Sequence, residues 1–192
     1  MGKRDARVPT ILMTVLWATL LVGAYLAPRA RPDDDPGDVV TRQTARVAVS
    51  FWGIAAAQLL LGQRSSARWT WTLACTAYLV HVATAFDQVH GWSHATAVRH
   101  VEIVSGFGRA LFVSYAFSLL WIVDVAWWWI DRAGYDARPV WLDRLIHGFM
   151  AFVVFNGTVV FADGLMRWVG AVLFAALAVL VARRLARIEA GQ

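Results

Sequence analysis

Four of the chain's five histidines, His81, His90, His94 and His100, fall within twenty residues. Asp87 and Glu102 lie among and beside them. Imidazole and carboxylate together are the donor set of transition-metal centres, so the first chemistry to weigh is metal binding. His90 and His94 are four apart, a spacing at which two imidazoles on one helix reach a common ion. Asp87 is seven residues from His94, about 10.5 Å of rise on a straight helix. Asp87 and His94 share an ion only if the chain bends between them, and Gly91 is the residue that permits a bend. His81 or His100, brought back by that turn, would supply a third ligand. Two or three imidazoles with a carboxylate suit zinc, iron or copper, whereas magnesium and calcium prefer oxygen ligands. The pattern is not that of a zinc protease, because Gly91 stands where such an enzyme carries its general-base glutamate. With no base placed for hydrolysis, an enzyme built on these residues would be an oxidoreductase. The same histidines also fit a proton relay, a quinone contact, or plain hydrogen bonding to backbone carbonyls and Glu102.

A second pair lies elsewhere. Asp124 interrupts an otherwise apolar run about two turns before its end, and His147 stands near the start of the next such run. An ionisable group inside a membrane span points to function by default. The short connection makes the two helices neighbours, so an Asp124–His147 hydrogen bond or ion pair is expected. Bonding of Asp124 to Arg144, or snorkelling to water, is the alternative. With Gln58, Tyr78, Ser114, Tyr115, Ser118 and Asn156, this pair could line a path, which is the basis of a transporter or proton-coupled channel reading. Helix–helix hydrogen bonding accounts for those polar residues equally well. Asn156-Gly157-Thr158 matches a glycosylation acceptor but sits inside a span. No phosphate-cradling loop, nucleophile elbow or CxxC pair occurs, which leaves kinase, hydrolase and thioredoxin-like chemistry without support.

The elements that must hold these residues follow from composition. Of 192 residues, 59% are hydrophobic and only 16% charged, with 11 Trp and 10 Phe. Mean hydropathy is +0.53. So much apolar surface cannot be covered by so few polar side chains in water. A bilayer core needs about 20 mostly apolar residues per helix. Runs over 8–27, 47–62, 69–86, 110–130, 145–162 and 165–182 meet or approach that length. They are too long for strands and lack period-two alternation. The expectation is an all-α, polytopic integral membrane protein of six transmembrane helices forming a single membrane domain over 1–192. A short interfacial helix, capped at Ser93 and running to about Val104, is expected in the loop after the third span. No internal repeat is visible, so an inverted-repeat transporter gains nothing from symmetry.

The net charge of +5 raises nucleic-acid binding, but no basic stripe is interleaved with aromatics as such a groove requires. Flanking charges that set topology explain it better. With the N-terminus inside, eleven basic residues (Lys3, Arg4, Arg7, Arg64, Arg68, Arg132, Arg138, Arg144, Arg183, Arg184, Arg187) fall on the inner side and seven on the outer. This favours a bacterial-type inner membrane with both termini cytoplasmic. The first run exceeds a signal-peptide core, and Pro28 follows where cleavage would occur, so an uncleaved helix is expected. The Trp127-Trp128-Trp129 run reads as an aromatic belt. Asp33-Asp34-Asp35-Pro36-Gly37-Asp38 lacks the EF-hand ligand order and reads as a solvated acidic turn. The lone Cys75 allows no internal disulfide. Beyond the lipid bilayer, the Trp-rich faces leave room for partner membrane subunits or a homo-oligomer, which would make the chain a structural or assembly subunit. His90-Gly-Trp-Ser-His94-Ala, followed by His100 and the three tryptophans, resembles a group of small polytopic bacterial membrane proteins with no assigned activity. The resemblance covers roughly 81–129 and implies only that these residues belong together.

Overall fold

The computed structural model describes residues 7–31 and 33–190. Lys3 and Arg4, part of the basic N-terminal segment, lie outside them. The described residues are all-α, with no strand among them. The chain divides into two compact units, Met1–His94 and Ala95–Gln192.

The first unit is built from α1 (Arg7–Leu26), a 3-10 turn (Ala27–Ala30), α2 (Pro36–Leu60) and α3 (Arg64–Gln88). The acidic turn is the start signal of α2. Asp35 is its N-cap and accepts a hydrogen bond from the Asp38 N–H at 2.9 Å, and Pro36 takes the first helical position, where its missing N–H costs nothing. The α2–α3 reversal turns at Gly62, whose φ of +76° suits glycine. Small residues then let the two helices press together. Ala48, Ala55, Ala67, Ala74 and Ala77 are buried along the seam beside Phe51 and Trp71. Gly37 completes the approach: a Cβ there would lie 3.0 Å from the Gln88 Cβ and carbonyl oxygen. Side chains staple α1 to α3. Trp17 Nε1 donates to the Leu73 carbonyl at 2.9 Å, and Trp69 Nε1 donates to Thr14 Oγ1 at 2.9 Å. The Thr84 hydroxyl donates to Val80 O, so Tyr25 is the donor in its 2.7 Å bond to Thr84.

The second unit holds α4 (His94–Ser105, whose first residue closes the first unit), α5 (Ala110–Ile130), α6 (Arg132–Asp136), α7 (Val140–Phe155) with a π-helical continuation (Asn156–Val160), and α8 (Gly164–Ala190). α5 packs on α7, with the Phe117 and Phe149 ring centroids 6.4 Å apart, and Trp121, Ile146 and Met150 are buried. α8 lies against the π segment at Gly170, where a Cβ would meet the Thr158 carbonyl oxygen at 2.7 Å. Arg167 turns back to donate to the Ala162 carbonyl at 2.8 Å, so it satisfies backbone left open by the end of the π segment.

Helices stand at all six positions where spans were expected, and α4 stands where the interfacial helix was expected. By length and composition, three segments suffice to cross a membrane: Thr10–Ala30, Ala110–Ile130 and Gly164–Arg187. The six-span expectation is therefore met by three on that measure. The other helices fall short for visible reasons. α2 carries Arg42 and Arg46, α3 carries Arg64 and Arg68 with a series of threonines, and α7 has 16 residues before its hydrogen-bond pattern changes. The aromatic belt is also only partly a belt: Trp129 is exposed, but Trp128 is a core residue.

Candidate functional site

The histidines are positioned by the end of α3. That helix continues past the expected 86 to Gln88, and the chain then reverses through His90-Gly91-Trp92-Ser93. Gly91 and Trp92 both have positive φ, +56° and +57°, and Trp92 is the costlier because it carries a Cβ. Backbone bonds fix the reversal: Trp92 N–H donates to Phe86 O at 2.8 Å and Ser93 N–H to His90 O at 3.0 Å. Asp87 is spent on the same turn, accepting from Trp92 Nε1 at 3.2 Å and from the neighbouring Gln88 amide. His90 sits in the turn with its ring edge-on to Phe86, centroids 5.5 Å apart. His94 opens α4, so His90 and His94 do not share a helix.

His81 lies one α3 turn before Ala85. Its Nδ1 is 3.0 Å from the Thr41 carbonyl of α2 and 3.5 Å from Thr44 Oγ1. A carbonyl only accepts, so Nδ1 is the donor in that bond. His100 is exposed on α4, in the second unit. Among the described residues, no group of three or more His, Cys, Asp or Glu side chains is placed to hold a metal ion.

The second pair leads to a denser constellation, contained in the second unit. α5 ends at Ile130. Asp131 caps the short α6 by accepting from the Gly134 N–H at 2.9 Å, in an approach that only glycine allows. Three residues after α6, Pro139 is the N-cap of α7. This tight reversal returns Arg138 to the level of Asp124, fourteen residues back along the chain. The Asp124 and Arg138 side chains are 0% and 2% exposed. Arg138 Nη1 donates to Asp124 Oδ1 at 2.7 Å, and the Tyr135 hydroxyl donates to Asp124 Oδ2 at 3.1 Å. Both carboxylate oxygens are thus engaged from outside the span. On its other side, Arg138 donates through Nε to Asp143 Oδ1 at 3.0 Å, and through Nη2 to the same oxygen and to His147 Nε2, the latter at 3.1 Å.

Aromatic rings hold the guanidinium flat. Its Cζ lies 3.8 Å over the Tyr135 ring, and Trp128 stacks on that ring at 4.5 Å and 8°. Two groups so close to one ring must occupy opposite faces, so Tyr135 is sandwiched between Trp128 and Arg138. Burial, and after it the Asp124 charge, raises the Tyr135 pKa far above its usual value and keeps the hydroxyl a donor. For Arg138, burial works against the charge. The hydrogen bond to Asp143 and the charge of Asp124 more than offset it, and its pKa is raised.

Asp124 and His147 each bind Arg138, which the expectation of a direct Asp124–His147 bond, or of Asp124 with Arg144, did not include. A guanidinium only donates, so in its bond to Arg138 the acceptor is His147 Nε2. Asp143 Oδ1 is 3.6 Å from that same Nε2. Asp143 and His147 are 43% and 25% exposed, so the constellation runs from solvent to the buried Asp124. Sequence reasoning counted Arg138 only as a topology charge and did not weigh Tyr135 or Asp143. The signal available was a helix-capping Asp131, Gly134 and Pro139 just past a span carrying a carboxylate. Compared with family models, curated proteins and solved structures, the chain matches none of them.

Proposed function

We propose that the protein is a multi-pass membrane protein of a bacterial-type inner membrane, with six spans and both termini cytoplasmic, that couples proton uptake at Asp124 to transport. One observation carries this reading. A carboxylate buried in a span is joined through a single guanidinium to a part-exposed imidazole and a part-exposed carboxylate. A buried ion pair is weak evidence for stability alone, since apolar residues of similar volume do as well or better. An ionisable group in a span, connected to water on one side only, suits a proton site.

Arg138 Nη1 holds Asp124 while its Nε and Nη2 hold Asp143 and His147, so one guanidinium ties α5 to α7. Protonation of Asp124 removes the charge that Nη1 binds and loosens that latch. One and two turns further into α5, Trp121 and Phe117 are buried on the Asp124 face. So buried a carboxylate suits a carrier that must move to release its proton, rather than an open channel. The histidines near α4 lie outside this step.

The test is proton flux into pyranine-loaded liposomes under a potassium-diffusion potential. Wild type should acidify the lumen, and Asp124→Asn should slow it by about tenfold or more, in the range of a lost proton-transfer group. Since Asp124→Asn disturbs a buried pair, His147→Gln provides a second variant at a part-exposed position, expected to slow uptake and flatten its pH dependence. Wild-type flux no faster than that of empty liposomes removes the reading.

A further inference from the structure

We propose that Arg31, Arg42, Gln43 and Arg46 form a binding site for a phosphate group, carried by an anionic lipid headgroup or free in solution. The site belongs to the first unit and is independent of the Asp124 constellation. These four residues, with Asp34 and Val39, line a cavity of about 120 Å³. Three guanidiniums face one carboxylate in that lining, an excess of two positive charges.

The scaffold is rigid. Arg42, Gln43 and Arg46 stand on one side of α2, at positions i, i+1 and i+4. The buried Val39 gives the cavity its floor, one turn earlier. Arg31 comes from the turn after the 3-10 segment, where its N–H donates to Pro28 O at 3.0 Å and its carbonyl accepts from the Asp34 N–H at 3.2 Å. The arginines are poorly satisfied as they stand. Arg31 Nη1 is 4.0 Å from Asp34, and Arg42 Nη2 is 3.9 Å from Asp38. These separations attract without making a hydrogen bond. Arg46 and Gln43 make no side-chain hydrogen bond or ion pair among the described residues. Each guanidinium offers five N–H donors, so most of this donor capacity faces the cavity or water unused. Arg42 and Arg46 are also like charges one helical turn apart, a repulsion within α2 that a bound anion would reverse.

Guanidinium forks match carboxylate and phosphate alike. Location favours phosphate. Arg31 follows immediately on Ala30, the last residue of the candidate span Thr10–Ala30, so the cavity opens where the chain leaves the hydrocarbon for the headgroup layer. That layer presents phosphate at high local concentration.

The experiment uses the full chain, purified in detergent and held in zwitterionic phosphatidylcholine. Native mass spectrometry reads retention of added phosphatidylglycerol, and thermal unfolding reads the effect of inorganic phosphate. Arg42→Gln/Arg46→Gln should weaken phosphatidylglycerol retention about tenfold or more, the scale of one lost charged hydrogen bond. Arg183→Gln, on exposed α8, should leave it unchanged. If inorganic phosphate raises the unfolding temperature of wild type but not of the double variant, free phosphate suffices as ligand. If only the lipid responds, the headgroup is the source. Equal retention of both ligands by wild type and double variant overturns the site, as does retention of neither by wild type. Should the double variant not fold, Arg46→Gln alone carries the comparison.

Discussion

Arg138→Met is expected to lower the unfolding free energy by about 3–5 kcal/mol, the cost of leaving a buried charge without its partner. Asp124 would remain 14 residues back in α5, buried and still holding the Tyr135 hydroxyl but without the Arg138 guanidinium. Tyr135 would lose the cation over its ring, and Asp143 and His147 would lose their shared donor. The diagnostic case is the double replacement Asp124→Leu/Arg138→Met. It removes both charges at once and leaves the smaller penalty of a buried Tyr135 hydroxyl without its acceptor, about 1–3 kcal/mol. The double variant should therefore be more stable than either single variant, measured by unfolding in mixed micelles. Additive losses would mean that the two side chains are not coupled, against the 2.7 Å contact between them.

The second large effect concerns how α8 is seated. Gly170→Leu is expected to destabilise by about 2–3 kcal/mol through overpacking. Its Cβ alone would stand 2.9 Å from both Thr158 Cβ and Thr158 Oγ1, and closer still to the Thr158 carbonyl oxygen. Thr158 cannot turn aside, because its hydroxyl donates to Val154 O at 2.7 Å and it is part of the π segment itself. Gly148 is the control. It lies within α7, where an added Cβ would meet nothing within 4 Å, so Gly148→Ala should be neutral or stabilise by about 0.5–1 kcal/mol through helix propensity. The two glycines should respond with opposite sign in the same unfolding assay. A matching response at both would mean that Gly170 does not mark a close approach.

Most of the helical framework was legible because apolar runs and breakers are local signals. The run over 110–130 is α5 to the residue, and the interfacial helix is α4 within one residue at its end. The other boundaries were drawn short. α2 begins eleven residues before the expected 47, because hydropathy sees only the apolar part of a helix while Asp35 and Pro36 start it on polar ground. The same blindness hid the charged end of α8, which runs on to Ala190. Chemistry was less legible than architecture. Clustering of His81, His90, His94 and His100 in sequence suggested a common centre, and Gly91 did mark a reversal. Direction is what spacing could not supply: His81 Nδ1 is held by Thr41 of α2, and His100 falls in a different unit from His81. The short connection made α5 and α7 legible as neighbours, and so Asp124 and His147 as residues to weigh together, though not what each would bind. Arg138 was not legible, since its return to Asp124 depends on the α6 turn, whose Asp131–Gly134 contact is a tertiary detail within a few residues of loop. Charges near span ends therefore have two uses, topology and pairing, and only the turn geometry separates them.

Protonation of Asp124 itself is open to direct observation. In a pH-difference infrared spectrum of the reconstituted chain, a protonated-carboxyl stretch should grow in as the bulk is acidified, disappear in Asp124→Asn, and persist in Asp143→Asn. A band unchanged by Asp124→Asn, or one that vanishes with Asp143→Asn alone, would contradict proton uptake at the buried carboxylate.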